Sequence, residues 1–70
     1  MPKLTDQELK VLFLLCRGLK NEEIANAINI SIHTVKAHIE SIYIKLSVKN
    51  RVQASIKAVY LGVIKVEDLV

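Results

Sequence analysis

The chain has 70 residues and a mass of 7.9 kDa, enough for one small domain of marginal stability. Hydrophobic residues make up 51% and charged residues 24%, which excludes a disordered chain, and a single cysteine excludes an internal disulfide. Two glycines and one proline are too few for the many turns of a β-sandwich. The longest apolar run is far shorter than the ~20 residues of a membrane helix. We therefore expect an all-α domain in the cytoplasm, without a membrane segment.

The net charge of +3 is concentrated in the middle of the chain. Residues 31–51 carry the whole excess, and the segments on either side are neutral. The charged residues of this segment are Lys36, Lys45, Lys49, Arg51 and Glu40. Clustered positive charge is typical of a surface that binds phosphates, but a solvated helix face can carry it too, so charge alone leaves both interpretations open.

Two helices are predicted in the N-terminal part of the chain. Thr5 and Glu8 have the Thr-x-x-Glu spacing of a capping box, which predicts the start of a first helix. Gly18 is predicted to end it. Asn21 is predicted to cap a short second helix, and Asn29 can adopt the left-handed conformation that would end that helix.

Two further helices are predicted after residue 30. Ser31 caps the third, whose apolar stripe recurs at the helical period and consists of Val35, Ile39, Ile42 and Leu46. Asn50 and Gln53 form another candidate capping box, which opens a fourth helix that Gly62 closes. The residues expected to pack this helix closely against the core are Ala54, Ala58 and Leu61.

The connection between the second and third helices predicts a helix-turn-helix. Only Asn29, Ile30 and Ser31 separate the two helices, and so short a connection sets them at a steep angle. In a helix-turn-helix the first helix crosses the DNA backbone and the second enters the major groove. We therefore predict a four-helix, all-α helix-turn-helix domain whose third helix is the recognition helix.

The sequence from Leu4 to Ile64 resembles the LuxR-type (GerE-like) helix-turn-helix domain, which also ends many NarL/FixJ response regulators. The residues that carry this resemblance are Leu4-Thr5 with Glu8, Gly18, Glu23-Ile24-Ala25, Ile30-Ser31, Thr34-Val35-Lys36 with His38, Lys45-Leu46, Asn50-Arg51 with Ala54, and Gly62. The resemblance implies one domain over residues 1–70, with a core at 4–64 and a C-terminal tail at 65–70. It also implies that the chain binds double-stranded promoter DNA as a homodimer. Further implied partners are RNA polymerase and, where the chain is the C-terminal part of a longer protein rather than a small free-standing regulator, an N-terminal regulatory domain.

The resemblance and the helical geometry together predict the DNA contacts. The residues expected to face base edges are Lys36, Ala37, Glu40, Ser41 and Ile44. The residues expected to hold phosphates are Asn21, His33, Thr34, Lys45, Lys49, Asn50 and Arg51. Solvent or a helix end is an alternative partner for Lys45. Glu40, Ile44 and Glu22 depart from the family pattern, because basic residues are common at their positions.

A second apolar strip on the fourth helix consists of Val52, Ile56, Val59 and Tyr60. We interpret it as the surface that joins two protomers; the alternative is that it covers the small core. Leu9 and Phe13 form a further apolar pair on the first helix, a candidate docking surface for a regulatory domain.

Two other functions compete with the DNA-binding regulator. Region 4 of a sigma factor uses a similar helix-turn-helix, and a helical protein-interaction module would need no DNA at all. An adaptor explains the apolar strips but not the clustered positive charge. The sequence has no Ser-His-Asp arrangement, carboxylate pair or glycine-rich phosphate loop, so we predict no enzymatic activity, cofactor or metal.

Overall fold

The computed structural model describes residues 3–70, which form four α-helices. They are α1 (Asp6–Cys16), α2 (Asn21–Ile28), α3 (Ile32–Leu46) and α4 (Arg51–Tyr60), followed by a 3₁₀ turn at Val66–Asp68. The described residues contain no β-strand. The all-α class and the four predicted helices are thus confirmed. No helix in this part of the chain combines the length and the apolar character needed to cross a bilayer.

Side-chain caps start three of the helices as predicted. At α1 the box is reciprocal: Glu8 N–H donates to Thr5 Oγ1 over 3.1 Å, and Thr5 N–H donates to Glu8 Oε1 over 2.8 Å. Ser31 Oγ accepts from the backbone N–H of Thr34 at 3.1 Å at the start of α3. At α4, Asn50 Oδ1 accepts from the N–H of Gln53 at 2.9 Å. Each cap satisfies a backbone donor that the helix itself leaves free.

Two predicted caps need correction. Asn21 does not cap α2 but is its first helical residue; the cap position is Lys20, whose N–H donates to Glu23 Oε1 over 2.7 Å. At α4 the box is only half formed, because the Gln53 side chain accepts from the N–H of Lys49 rather than from that of Asn50. In both cases the side-chain oxygen, of Glu23 or of Gln53, accepts from the backbone N–H of the residue just before the predicted cap.

All four helices end with the same backbone device. A residue with positive φ follows each helix, and the next N–H bonds back to a carbonyl five residues earlier, as in Ile30 to Ala25 at 3.0 Å. The four residues with positive φ are Gly18, Asn29, Ser47 and Gly62. The predicted ends at Gly18, Asn29 and Gly62 are therefore confirmed. The end of α3 at Ser47, where φ is 56°, was not predicted, because serine does not favour positive φ as glycine does.

The core is aliphatic and centred on α3, which packs against each of the other three helices. The predicted stripe of α3 is buried along its whole length. Ala54 and Ala58 of α4 are fully buried, but Leu61 remains 38% exposed, so its predicted place in the core was wrong. Leu61 follows the last turn of α4, where the backbone leaves the helix. Because the buried residues of α3 lie along one side of the helix, the opposite side faces outward.

Candidate nucleic-acid interface

The turn between α2 and α3 has the local geometry that the sequence predicts. Asn29 is left-handed at φ 55° and ψ 51°, and Ser31 caps α3 two residues later. Ile24 of α2 and Val35 of α3 are fully buried, and Ala25 is small and nearly buried. These side chains are buried where α2 packs against α3, so the two helices form one helix-turn-helix unit.

The outward face of α3 forms a row of exposed side chains, which we call the α3 crest. It consists of His33, Lys36, Ala37, Glu40 and Ile44. Successive residues of a helix are about 100° apart, which places Ala37 and Ile44 directly opposite the buried stripe. Ile44 is 79% exposed and therefore presents an aliphatic side chain to whatever the crest contacts. Thr34 is also exposed, near the N-terminus of the same helix.

Two predicted DNA contacts of α3 turn away from this crest. Ser41 Oγ donates to Glu8 Oε2 over 2.5 Å, and Lys45 Nζ lies 2.7 Å from Glu8 Oε1. Lys45 Nζ also lies 3.3 Å from the backbone carbonyl oxygen of Lys3. Glu8 is only 4% exposed, and a buried carboxylate needs hydrogen-bonding partners. The structure thus gives Ser41 and Lys45 partners inside the fold. For Lys45 that partner is the Glu8 carboxylate, which is neither the solvent nor the helix end considered as alternatives to DNA.

Glu8 is the one charged residue buried in the described chain, and its ionisation is strongly perturbed. Burial by itself raises the pKa of the carboxyl, but the hydrogen bonds from Lys45, Ser41 and the Thr5 backbone together outweigh it. The positive charge of Lys45 acts in the same direction, and the pKa falls to about 2. Glu8 is therefore ionised at neutral pH and ties α1 to α3.

Arg51 also has a different role from the predicted phosphate contact. Its Nη1 donates to the carbonyl oxygens of Leu15 at 3.1 Å and Leu19 at 2.7 Å, at the end of α1 and in the following turn. A guanidinium can satisfy such backbone acceptors because it is a fork of donors with no acceptor of its own. The side chain therefore ties the start of α4 to the α1–α2 connection.

Lys49 and Asn50, the neighbours of Arg51, lie exposed between α3 and α4. Asn50 uses its oxygen as the α4 cap, which leaves its NH₂ group to donate outward. Asn21, the remaining predicted phosphate contact, lies half-buried in the first turn of α2. Within residues 3–70, neither Lys36 nor Lys49 forms a side-chain hydrogen bond or ion pair. The surface around α3 thus has fewer unpaired positive side chains than the sequence suggested, because Lys45 and Arg51 bond to groups within the fold.

The apolar strip of α4 lies on the surface. Val52 and Ile56 are each 66% exposed and Tyr60 is 84% exposed, while Val59 is exposed to a lesser degree. The strip lies opposite the buried alanines of α4, so the alternative that it covers the core is wrong. A shallow groove beside it is lined by Ser47, Val48, Gln53, Ile56, Lys57 and Tyr60.

The first helix offers a smaller apolar surface. Leu9 is exposed, whereas Phe13 packs partly against the core and carries the guanidinium of Arg17 over its ring, 5.8 Å from the centroid. Only part of the predicted Leu9 and Phe13 pair is therefore accessible.

Residues 2–58 match the model of a family described as "Bacterial regulatory proteins, luxR family". Among curated proteins, the chain is similar to the response regulator protein VraR of Staphylococcus aureus, Staphylococcus saprophyticus and Staphylococcus epidermidis, at 47% identity over 55 residues in each case. The matched segment covers 79% of this chain but only 26% of each relative. The family match favours the LuxR-type domain over the sigma-factor and adaptor alternatives.

Proposed function

The chain belongs to the luxR family of bacterial regulatory proteins, which are DNA-binding transcription regulators. Because its curated relatives are response regulators, we propose that it is the DNA-binding output domain of a response regulator. The domain binds double-stranded promoter DNA in the cytoplasm with α3 in the major groove. The observation that supports this proposal is the α3 crest, an exposed helix face that follows the tight turn between α2 and α3. The major groove of B-form DNA is wide enough to admit one α-helix.

The contacts of the proposed complex follow from which side chains still have a group that can meet the duplex; Thr34 keeps its hydroxyl proton as a donor when its Oγ1 accepts from Ser31 Oγ, 2.8 Å away. Base edges face Lys36, Ala37, Glu40 and Ile44, and phosphates contact Asn21, His33, Thr34, Lys49 and Asn50. Ser41, Lys45 and Arg51 are left out of both sets, because Ser41 Oγ, Lys45 Nζ and Arg51 Nη1 already bond to partners within the fold. Phosphate contacts position the domain, and the crest supplies sequence preference.

We expect Lys49→Met to weaken binding to any duplex and to reduce its salt dependence. Loss of one phosphate contact lowers the slope of log K against log salt concentration by about 0.9 per protomer. Fluorescence anisotropy titrations at several salt concentrations measure this slope. Lys10→Met is the matched control, since Lys10 is exposed on α1 and outside the helix-turn-helix. Equal slopes for wild type and Lys49→Met would show that Lys49 does not contact a phosphate.

We propose further that the α4 strip joins two copies of the domain on DNA. A symmetric contact through Val52, Ile56 and Tyr60 buries apolar side chains that are otherwise in water. It would set two α3 helices about 34 Å apart, one turn of the duplex, on a site with two half-sites.

Ile56→Glu is expected to weaken self-association tenfold or more, because it places a charge in the centre of that contact. Sedimentation equilibrium measures the association constant, and titration of a two-half-site duplex measures cooperativity. Val66→Glu adds the same charge at an exposed apolar position of the tail and should leave both unchanged. An unaltered association constant in Ile56→Glu would place the dimer contact elsewhere.

The matched relatives are about four times as long as the matched segment, which supports a parent protein with further domains. We propose that an N-terminal regulatory domain controls access to the DNA-binding surface and that the DNA-bound form acts on RNA polymerase. Leu9 on α1 is the accessible apolar side chain for docking that domain.

A further inference from the structure

Two side chains of the α3 crest, Glu40 and Ile44, have chemistry that suits only particular bases. We propose that α3 selects a half-site in which a cytosine amino group faces Glu40 and a thymine methyl group faces Ile44, about one to two base pairs apart. This inference rests on the proposed function, because it assumes that α3 lies in the major groove.

Glu40 places a negative charge where the duplex is itself negative. Its carboxylate is exposed, and within residues 3–70 it makes no hydrogen bond or ion pair, not even with Lys36 one turn away. An ionised carboxylate only accepts hydrogen bonds, so in the groove it needs a donor to offset repulsion from the phosphates. The major groove offers two amino donors, on cytosine and on adenine. In adenine the acceptor N7 adjoins the amino group and repels a carboxylate, so cytosine is the better partner.

Ile44 brings the opposite chemistry to the same face. It is 79% exposed and lies directly opposite the buried stripe, so it contributes nothing to the core and points at whatever α3 contacts. The thymine methyl is the apolar group that the major groove presents. Contact between the two removes apolar surface from water, whereas a cytosine or a purine at that position would leave Ile44 against polar edges.

The spacing of the two side chains sets the spacing of the two bases. Glu40 and Ile44 are four residues apart, which corresponds to about 6 Å along the helix axis. Successive base pairs are about 3.4 Å apart along the duplex axis, and the groove is inclined to that axis. A helix lying along the groove therefore places the two contacts about one to two base pairs apart. The two preferences should therefore appear together in one half-site.

Selection of bound duplexes from a random pool tests this directly. Wild type, Glu40→Ala and Ile44→Ala are compared, and both variants keep the fold because both side chains are exposed and alanine favours helix. Glu40→Ala is expected to lose a preference for cytosine of about 5- to 160-fold at one position while binding arbitrary duplexes more tightly. Glu67→Ala, which removes an exposed carboxylate from the tail, should keep the wild-type preferences.

A base analogue isolates the second contact. Replacing the selected thymine by uracil removes only the methyl group and should weaken wild-type binding about fourfold, with no effect on Ile44→Ala. Base preferences that persist unchanged in both variants, with DNA still bound, would overturn this inference and leave the proposed function standing. Failure of wild type to retain any duplex would overturn the proposed function, and this inference with it.

Discussion

Glu8→Gln is expected to lower the free energy of unfolding by about 2–3 kcal/mol at pH 7, and the melting temperature by about 10–20 °C. Glutamine keeps the oxygen that accepts the Thr5 N–H, so the helix cap survives. What disappears is the charge that faces the Lys45 ammonium at 2.7 Å. Breaking a fully buried ion pair lowers the free energy of unfolding by more than this. Here the Lys45 side chain is 25% exposed, so water partly solvates the ammonium group that loses its partner.

The same carboxylate makes stability depend on pH in a defined window. Its pKa is about 2 in the folded chain, below the value of about 4.3 for an unfolded glutamate. A lowered pKa stabilises the folded state above the unfolded value, and this contribution is lost as pH falls from about 5 to 2. Chemical unfolding across this range should show wild type losing its advantage over Glu8→Gln, so that the two are equally stable near pH 2.

Asp6→Asn is the control for Glu8→Gln. Asp6 lies in the same first turn of α1 but is exposed, so its replacement removes only a helix-dipole interaction of about 0.3–1 kcal/mol. Similar losses in the two variants, or a stability difference between wild type and Glu8→Gln that persists at pH 2, would show that Glu8 is not a structural ion-pair partner.

Arg51→Met is expected to lower the free energy of unfolding by about 2–3 kcal/mol and to leave the salt dependence of DNA binding unchanged. Methionine retains part of the aliphatic stem, so the loss is that of the two hydrogen bonds. The Leu19 oxygen has no other donor among the described residues, whereas the Leu15 oxygen also accepts from Gly18. Urea unfolding and anisotropy titration give the two quantities.

Arg51 and Lys49 should therefore give opposite results under the same substitution. Lys49→Met should reduce the salt slope by about 0.9 and change stability by less than about 0.5 kcal/mol, because the Lys49 side chain has no partner within residues 3–70. If Arg51→Met instead reduced the slope with stability intact, the phosphate contact expected from the sequence would be correct and the carbonyl contacts would be incidental.

Many features set by residues close together in the sequence were predictable from it, although the α2 cap at Lys20 and the left-handed Ser47 were not. The Thr5 and Ser31 caps, the left-handed Asn29 and the buried stripe of α3 each depend on residues within a few positions or on the helical period. The turn of three residues between α2 and α3 follows in the same way. The sequence alone therefore determined the four helices, the helix-turn-helix and the outward side of α3.

The tertiary structure decided which polar side chains of that region remain free for a ligand. Ser41 and Lys45 lie 33 and 37 residues from Glu8, and Arg51 lies 36 and 32 residues from Leu15 and Leu19. Residue type and helical angle place a side chain near a surface but do not reveal a distant carboxylate or carbonyl that needs a donor. One signal was present: Glu8 shares a helix face with Leu12 and Leu15, so its carboxylate had to be buried and paired once that face met α3.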